Sequence, residues 1–334
     1  MRVPARPWRP VVGPLGQRLD LVGIGEAMLL LQAPPPVPFA EATHLLVDVA
    51  GAELNTCAAV TRLGGRAALR TRVGADAPGE RIRLAMANLG VEDHLVDLDA
   101  DRPTGLFLRE TPADASRRVI YYRAGSAASA MDATDADAVR EPPPRAVLVS
   151  GITAALGDGP RRLLRALARH AWADGTAFVV DANLRPALGG MDEAIALLRD
   201  LLPVTDLLVL GDDESGPLLG ATMPDAVFAA AAAAGVGETV LKGAERGCWF
   251  VGDDGEVRHQ PTFAGEVVDT VGAGDAFTGG YLAARLAGAS RPAAADLASR
   301  LAAGVLAHPG DTTGLPDPDR GQRLLADAVS AGRP

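Results

Sequence analysis

Short apolar segments alternate with longer amphipathic segments through the second half of this chain. The apolar segments fit buried strands near residues 147–150, 177–181, 207–210 and 239–241. The segments between them fit helices near residues 161–173, 192–202 and 225–234. Consecutive parallel strands need a crossover, usually a helix, to bring the chain back across the sheet. The alternation therefore predicts an α/β fold in which helices cover both faces of a mostly parallel sheet.

The first half of the chain begins with the same alternation. Two strands and two helices are expected there, the strands at residues 21–32 and 67–73 and the helices at residues 51–63 and 78–89. Three consecutive prolines at 34–36 cannot lie inside a helix, so they separate the first strand from the first helix. Pro78 and Gly90 mark the two ends of the second helix.

Two pairs of short strand-like segments interrupt this alternation. Residues 105–109 and 118–122 are joined by a polar stretch that contains Pro112, and they predict a hairpin. A second hairpin is expected at residues 248–251 and 257–260. Two further helices near residues 274–286 and 292–307 complete the expected elements.

Composition excludes several classes of protein. The 334 residues carry 42 Asp and Glu against 32 Lys and Arg, a formal net charge of −10 without a run of basic residues, so nucleic acid is not an expected partner. Cys57 and Cys248 cannot build a disulfide framework, which favours a reducing cytoplasm. No apolar stretch reaches the length of a membrane span. Residues 1–18, which have several Arg and Pro, are expected to form a disordered extension.

The motif at residues 269–280, Asp-Thr-Val-Gly-Ala-Gly-Asp-Ala-Phe-Thr-Gly-Gly, is the clearest sign of chemistry. Its glycines permit a turn in which backbone N–H groups converge, and the helix that begins there adds the positive end of its dipole. A phosphate group would bind well in such a turn. Asp275 lies in the first turn of that helix, where it could accept a proton from a hydroxyl in line with the phosphate. A lone Gly-x-Gly-Asp can simply cap a helix, but the full motif is far more specific.

Motifs of other phosphate-binding and catalytic classes are missing. A P-loop needs a lysine after its second glycine, and the only lysine of the chain, Lys242, stands in a different context. The dinucleotide-binding fingerprint is incomplete at residues 23–25, and Phe277 stands where residues 272–274 would need a third glycine. The five histidines show no spacing typical of a metal site or a catalytic triad.

With this motif and a second region, the chain resembles the PfkB, or ribokinase-like, carbohydrate kinases. The second region is Ala-Gly-Ala-Glu-Leu-Asn-Thr-Cys-Ala-Ala-Val-Thr-Arg-Leu-Gly-Gly at residues 50–65, followed by Arg-Val-Gly-Ala-Asp-Ala-Pro-Gly-Glu at 72–80. The resemblance implies one ribokinase-like domain over residues 19–330, a three-layer α/β/α sandwich with a small β-sheet lid from about 26–50 and 104–123. It also implies that Asp275 is the catalytic base and that the backbone of Gly272, Ala273 and Gly274 forms the anion hole.

Other stretches resemble the members of this family that phosphorylate 2-keto-3-deoxygluconate, at residues 121–129, 150–153 and 181–185. A sugar acid brings a carboxylate, which arginine binds through two parallel hydrogen bonds. The resemblance implies that this sugar acid is the substrate, phosphorylated on its 6-hydroxyl, and that its ligands are Gly51, Asn55, Phe107, Tyr121, Arg123, Arg185 and Asp311. Phe107 stands where these kinases often have a tyrosine. Tyr121 and Tyr122 alternate on a strand, so only one of them can face a pocket, and Tyr121 is the expected ligand.

The resemblance further implies ATP and Mg²⁺ as cofactors. The residues that correspond to the family's nucleotide site are Asn183, Arg185, Lys242, Gly243, Gly247, Gly272, Gly274 and Ser299. Glu214 is expected to orient metal-bound water, although the Asn that usually precedes it by three residues is Gly211 here. The sequence does not decide whether a monovalent cation binds beside Asp269 and Thr270.

Several of these site residues also have a purely structural interpretation. Arg123 and Arg185 could form ordinary surface ion pairs, Lys242 could be a cation at a strand end, and Asp311 could be a solvated turn residue. At the level of function, the alternatives are a fructokinase or ribokinase that acts on a neutral sugar and a catalytically silent sugar or nucleotide sensor. The exposed edges of the lid sheet predict a homodimer or larger assembly through the lids.

Overall fold

The computed structural model describes residues 12–111 and 118–331, which form two sheets flanked by helices. The strands are β1 (Leu21–Ile24), β2 (Met28–Gln32), β3 (Leu46–Ala50), β4 (Ala67–Gly74), β5 (Val96–Asp99), β6 (Leu106–Glu110), β7 (Arg118–Tyr122), β8 (Ala146–Ser150), β9 (Ala177–Asp181), β10 (Leu207–Gly211), β11 (Glu238–Lys242), β12 (Cys248–Val251) and β13 (Val257–Gln260). The helices are α1 (Ala52–Arg62), α2 (Ala77–Leu89), α3 (Gly151–Ala154), α4 (Asp158–Asp174), α5 (Met191–Leu201), α6 (Asp212–Leu219), α7 (Pro224–Ala233), α8 (Ala273–Ala287), α9 (Arg291–Leu306) and α10 (Pro318–Ala331).

The larger sheet has nine strands in the order β13-β12-β11-β10-β9-β8-β1-β4-β5. From β11 to β5 neighbouring strands run parallel, and β12 and β13 add an antiparallel edge. Residues of β8 alternate between two cores: Leu148 packs with residues of α1, α8 and α9, whereas Val147 and Val149 pack with residues of α4, α5 and α7. Helices therefore cover both faces of the sheet, and the predicted ribokinase-like α/β/α sandwich is confirmed.

The smaller sheet, which we call the lid, has four strands in the order β3-β2-β6-β7. It comes from the two segments that were expected to supply it. The hairpin of β6 and β7 is antiparallel, as predicted, and β2 pairs parallel to β6. The turn of that hairpin, including Pro112, lies outside the described residues.

The single strand predicted over residues 21–32 is wrong, because the chain changes sheets within it. β1 belongs to the larger sheet and β2 to the lid, with Gly25, Glu26 and Ala27 between them. All three are buried although Glu26 is charged, so burial continues through the break. Gly25 is needed at the bend, since a Cβ there would lie 2.3 Å from the carboxylate of Glu53.

Several elements were not predicted, and each has a weak sequence signature. β5 is an edge strand whose middle residues, Asp97 and Leu98, are exposed. Helix α10 buries only Gly321 and Leu325. No helix in the described part of the chain combines the length and the apolar character that crossing a membrane requires.

The structure describes part of the extension that was predicted to be disordered, residues 12–18 of 1–18. Residues 1–11 lie outside the described residues. From Val12 onward the chain lies against the domain: the Gly13 N–H donates to the Leu286 carbonyl at 3.0 Å, and the Gly16 N–H donates to Asp20 Oδ2 at 2.8 Å. One of these hydrogen bonds ends on a backbone carbonyl and the other on a side-chain carboxylate, and they join Gly13 and Gly16 to the domain.

Candidate active site

A cavity of about 860 Å³ lies between the two sheets, at the carboxyl ends of the central strands. Gly211 and Lys242, the last residues of β10 and β11, line it from the larger sheet. Phe107 and Tyr121 line it from the lid. Open α/β sheets bind their ligands outside the carboxyl ends of the strands, so this cavity is in the position expected of an active site.

The turn before α8 forms one wall of the cavity. Gly272 has φ +78°, and a Cβ at this position would lie 2.1 Å from the carbonyl oxygen of Asp311, so a side chain is excluded both by conformation and by space. Ala273 and Gly274 follow in the first turn of α8 and also line the cavity. Their N–H groups lie at the positive end of a 15-residue helix, which favours an anion there.

Asp275 lies one residue further along α8, half-buried in the cavity wall. Asn55 Nδ2, from α1, donates to Asp275 Oδ2 at 2.9 Å. Burial raises the pKa of Asp275 to about 7, and the nearby Asp181 carboxylate raises it too, whereas Asn55, Lys242 and Arg185 oppose the shift. A carboxylate with this pKa can accept a proton from a hydroxyl near neutral pH.

Asp311 approaches the same amide from the other side. Asn55 Nδ2 also donates to Asp311 Oδ2 at 3.2 Å, and Arg109 Nη1 lies 3.5 Å from Asp311 Oδ1. Burial raises the pKa of Asp311 to about 6, against the effect of the Arg109 guanidinium. The structure thus places Asp311 in the cavity wall rather than in a solvated turn.

Arg109 lines the cavity from β6 but was not among the residues predicted from the sequence. Its side chain is on the same face of the strand as that of Phe107, two residues earlier. This spacing was a usable signal, because Phe107 was already expected to contact substrate.

Lys242 is held at the bottom of the cavity. Its Nζ lies 3.1 Å from both carboxylate oxygens of Asp181, and Thr278 Oγ1 donates to Asp181 Oδ2 at 2.7 Å. Burial on its own would lower the pKa of Lys242, but Asp181, Glu214 and Asp275 raise it. The amine is therefore a fixed cation close to Gly274, where a Cβ would lie 3.6 Å from Nζ.

Asn183 and Glu214 also line the cavity. Asn183 has φ +37°, and its Oδ1 is buried without a hydrogen-bond partner among the described residues. Glu214 accepts the Leu184 N–H at 2.7 Å and the Gly211 N–H at 2.6 Å. Burial raises the pKa of Glu214 although Lys242 opposes the shift. Asn183 therefore offers an unused acceptor to a ligand, whereas Glu214 is largely occupied with the start of α6.

Most of the predicted site residues meet in this one cavity. Those that line it are Gly51, Asn55, Phe107, Tyr121, Asn183, Arg185, Glu214, Lys242, Gly247, Gly272, Ala273, Gly274, Asp275, Ser299 and Asp311. Tyr122 points to the other face of the lid and is 59% exposed, as the alternation along β7 requires. Gly243 is not among the lining residues; a Cβ there would meet the ring of Trp249.

Arg123 is the main exception among the predicted ligands. It does not line the cavity; its Nε donates to Glu26 Oε2 at 2.7 Å, and Ser126 also donates to Glu26. Glu26 is 2% exposed, and a buried carboxylate requires a charged partner. Glu26 thus engages Arg123 from a position remote in sequence, while the buried Arg123 Nη2 has no hydrogen-bond partner among the described residues, so its role as a ligand stays a prediction.

Arg185 differs from Arg123. Its side chain is exposed in the cavity, and no ion pair joins it to another residue in the ranges 12–111 and 118–331. Its charge acts on both Asp275 and Tyr121: burial raises the pKa of Tyr121, and Arg185 lowers it. Arg185 is therefore available to a negatively charged ligand.

Comparison with known proteins agrees with this geometry. The pattern of the pfkB family carbohydrate kinases matches residues 18–318. The chain is 33% identical to the 2-dehydro-3-deoxygluconokinase of Thermoproteus tenax, over 93% of this chain and 96% of that protein. It is 30% identical to the 2-dehydro-3-deoxygalactonokinase of Haloferax volcanii, over 80% of this chain and 85% of that protein.

A solved structure shows the same architecture. The PfkB protein from Polaromonas sp. JS666 superimposes with a TM-score of 0.80 at 29% identity, over 91% of this chain and 99% of that one. The resemblance in the sequence motifs is confirmed: this chain belongs to the pfkB family of carbohydrate kinases.

Proposed function

We propose that this sugar kinase transfers the γ-phosphoryl group of ATP to the 6-hydroxyl of 2-keto-3-deoxygluconate, with Asp275 as the general base. The observation that carries the proposal is the position of the Asp275 carboxylate. It lies at the start of α8 beside the N–H groups of residues 272–274, in a cavity that Arg185 also lines. 2-Dehydro-3-deoxygluconate is another name for 2-keto-3-deoxygluconate, so the name of the Thermoproteus relative supports this substrate.

In the proposed reaction, the Asp275 carboxylate takes the proton of the 6-hydroxyl. The hydroxyl oxygen forms a bond to the γ-phosphorus, the bond from that phosphorus to the β–γ bridging oxygen breaks, and ADP leaves. A pKa near 7 makes Asp275 a stronger base than an ordinary aspartate and leaves about half of the carboxyl groups ionised at pH 7. The hydrogen bond from Asn55 fixes the orientation of the carboxylate.

The negative charge of the transferred group would be stabilised by the start of α8. The N–H groups of Gly272, Ala273 and Gly274 need no reorganisation to meet it, because the turn is already formed. Lys242 adds a fixed positive charge close to Gly274. Asn183, with its unused acceptor, and Gly247 are the proposed contacts for the rest of the nucleotide.

Magnesium fits this site as a partner of the ATP phosphates. Among residues 12–111 and 118–331, no group of three or more His, Cys, Asp or Glu side chains is arranged to hold a metal ion. Both oxygens of Glu214 already accept backbone N–H groups, and their remaining lone pairs could accept a metal-bound water. When bound, Mg²⁺ neutralises charge on the phosphates.

The carboxylate of the sugar acid is assigned to Arg185. A guanidinium in a cavity matches a carboxylate with two parallel hydrogen bonds. Tyr121 stands on the lid and close enough to Arg185 for the charge to affect its pKa, so both side chains can reach one substrate. Asn55 and Gly51 lie at the start of α1 and would hold the hydroxyl groups of the chain.

The experiment is ADP release by purified protein with Mg-ATP. The sugars are 2-keto-3-deoxygluconate, its galactose-derived epimer, gluconate, fructose and ribose. We expect selective turnover of the keto-deoxy acids, with NMR of the product showing phosphate on carbon 6. Arg185→Met should lower kcat/KM for the acid by about 10- to 100-fold, the value of a charged hydrogen bond. Arg162→Met, at an exposed ion pair with Asp132, is the control and should change nothing.

A kinase for a neutral sugar is the second candidate. The pairing of Arg123 with Glu26 favours it, because one of the two arginines expected to bind a carboxylate is already engaged. Turnover of fructose or ribose, with the acids left untouched and no effect of Arg185→Met, would establish this candidate and overturn the sugar-acid proposal.

We further propose that two copies associate through the outer face of the lid. The register of the lid places Val47, Leu31, Leu108 and Ile120 side by side across its four strands, on the face away from the cavity. Tyr122 extends this apolar row, and Val47, Ile120 and Tyr122 are exposed in the single chain.

We also propose that the protein functions in the cytoplasm. Cys57 and Cys248 are buried free thiols, and a reducing compartment keeps thiols in this state.

A further inference from the structure

Arg109 is a buried cation that the lid contributes to the cavity. Its side chain is 5% exposed. The pairing of β2 with β6 places Gln32 opposite Arg109, and Gln32 Oε1 accepts from Arg109 Nε at 3.0 Å and from Nη2 at 2.5 Å. The guanidinium is therefore held in a fixed position by the lid itself, and it moves when the lid moves.

Two aspartates of the larger domain face this guanidinium. Arg109 Nη1 lies 3.5 Å from Asp311 Oδ1, and Nη2 lies 3.7 Å from Asp269 Oδ2. Asp269 lies in the segment before α8, and Asp311 lies in the loop after α9. Because the three side chains are largely buried, their attraction is screened much less than that of a surface ion pair.

Both aspartates hold the backbone around the anion-binding turn. Asp269 Oδ1 accepts the Val271 N–H at 3.2 Å, and Asp269 Oδ2 accepts the Gly310 N–H at 3.3 Å. The backbone of Asp311 packs directly against Gly272, where even a Cβ would not fit. A displacement of Asp311 must therefore disturb the turn formed by residues 272–274.

A hydrogen-bonded path also connects Arg109 with Asp275. Asn55 Nδ2 donates to both Asp311 Oδ2 and Asp275 Oδ2. Arg109 holds Asp311, Asp311 helps to hold Asn55, and Asn55 orients Asp275. The path runs from the lid to the carboxylate at the start of α8 through side chains that are all largely buried.

We propose that Arg109 is a positioning residue that couples the lid to the phosphoryl-transfer site. With the lid over the cavity, the guanidinium holds Asp311 and Asp269 and thereby the turn at residues 272–274 and the carboxylate of Asp275. With the lid raised, these contacts are lost and the turn relaxes. Phosphoryl transfer is thus tied to a covered substrate, and ATP is protected from water. The inference uses the site of the proposed function but does not depend on which sugar is bound.

The kinetic test compares Arg109→Met and Arg109→Lys with the wild type, on whichever sugar of the panel is turned over. Misplaced catalytic groups reduce chemistry far more than binding, so Arg109→Met should lower kcat by about 100-fold and change KM for ATP by less than about threefold. Arg109→Lys keeps the charge and should recover part of kcat. Arg118→Met, at an exposed lid arginine 3.5 Å from Glu110, is the matched control and should leave both values unchanged.

A second measurement needs no sugar. Hydrogen exchange of the Val271 and Gly310 amides, both bound to Asp269, should accelerate at least about tenfold in Arg109→Met and stay unchanged in Arg118→Met. If Arg109→Met does not fold, Arg109→Lys provides the same readout. Unchanged exchange at both amides, or an unchanged kcat, would overturn the positioning role. If the wild type uses none of the five sugars, the substrate proposal fails and the exchange measurement alone decides the role of Arg109.

Discussion

At the scale of single residues, Asp275 shows how burial serves chemistry at the expense of stability. A carboxylate in water has a pKa near 4, whereas burial raises that of Asp275 to about 7. The group that is proposed to take the proton is therefore one that the folded protein prefers to keep protonated. The unfolded chain has no such preference, so the ionised form weakens the fold at neutral pH.

Replacing Asp275 with Asn should remove most of the turnover and stabilise the fold. The pKa of Asp275 is higher in the folded state, so the folded protein binds more protons and its stability falls as pH rises from about 4 to 7. A shift of about three units corresponds to roughly 4 kcal/mol at most. Asp275→Asn should therefore unfold at a higher temperature than the wild type at pH 8, and the difference should vanish near pH 4. Thermal melts at both pH values, with ADP release at pH 8, provide the measurement.

Asp296→Asn is the matched control for this experiment, because Asp296 pairs with Arg300 on the surface of α9. It should leave activity unchanged and show no gain in stability at pH 8. Normal turnover by Asp275→Asn would rule out the general-base role, and an equal melting temperature at pH 8 would contradict the raised pKa.

Residues of the site differ in how far sequence alone could locate them. Asp275 and Gly272 belong to one short motif whose geometry is local, so their neighbourhood could be predicted. Arg123 was placed in the pocket because the sequence does not show that the buried Glu26, about a hundred residues away, would engage it. Arg109 was missed for the same reason, since its significance depends on Asp311, which only the folded chain brings near.

At the scale of elements, the alternation of strands and helices was predictable because parallel strands buried on both faces are apolar throughout. β8 and β9 are buried along their whole length and were located to within one residue. The failures occurred where an element is mostly exposed, as in α10, or where a buried segment changes sheets at Gly25. Burial by distant segments, rather than local propensity, decides such cases.

The turn before α8 provides a test at this scale. Gly272→Ala forces a Cβ into the carbonyl of Asp311 and places alanine at φ +78°, so kcat should fall more than about tenfold as the anion-binding turn shifts. Gly220→Ala is the control: Gly220 has φ +70° at the end of α6, with open space where its Cβ would lie. It should lose about 1 kcal/mol of stability and no activity. Equal activity of the two variants would contradict the role of the turn.

At the scale of the whole molecule, the lid has two faces with different tasks. Its inner face carries Phe107, Arg109 and Tyr121 into the cavity, and its outer face carries the apolar row around Leu108 and Ile120. Because strand residues alternate, each strand of the lid serves both faces. Assembly through the outer face would hold the lid strands firmly while the inner face contacts the sugar.

The proposed assembly can be measured by light scattering after size exclusion. The wild type should have the mass of a dimer or larger species, and Ile120→Asp should shift it to the monomer, because an ionised carboxylate in an apolar interface is strongly unfavourable. Met223→Asp, at a residue 70% exposed elsewhere on the surface, should leave the mass unchanged. A monomeric wild type would contradict association through the lids.

Lys242 also offers a single site for covalent labelling in the cavity. It is the only lysine among the 334 residues, and it lies at the bottom of the cavity against Asp181. A reagent that acylates lysine amines would find no second lysine side chain, so label on the peptide that contains Lys242 reports this site alone, apart from label on the terminal amine. Bound nucleotide phosphates would compete for the same amine and shield it. Mass spectrometry of the labelled peptide would therefore measure the fraction of sites that nucleotide occupies, without any catalytic turnover.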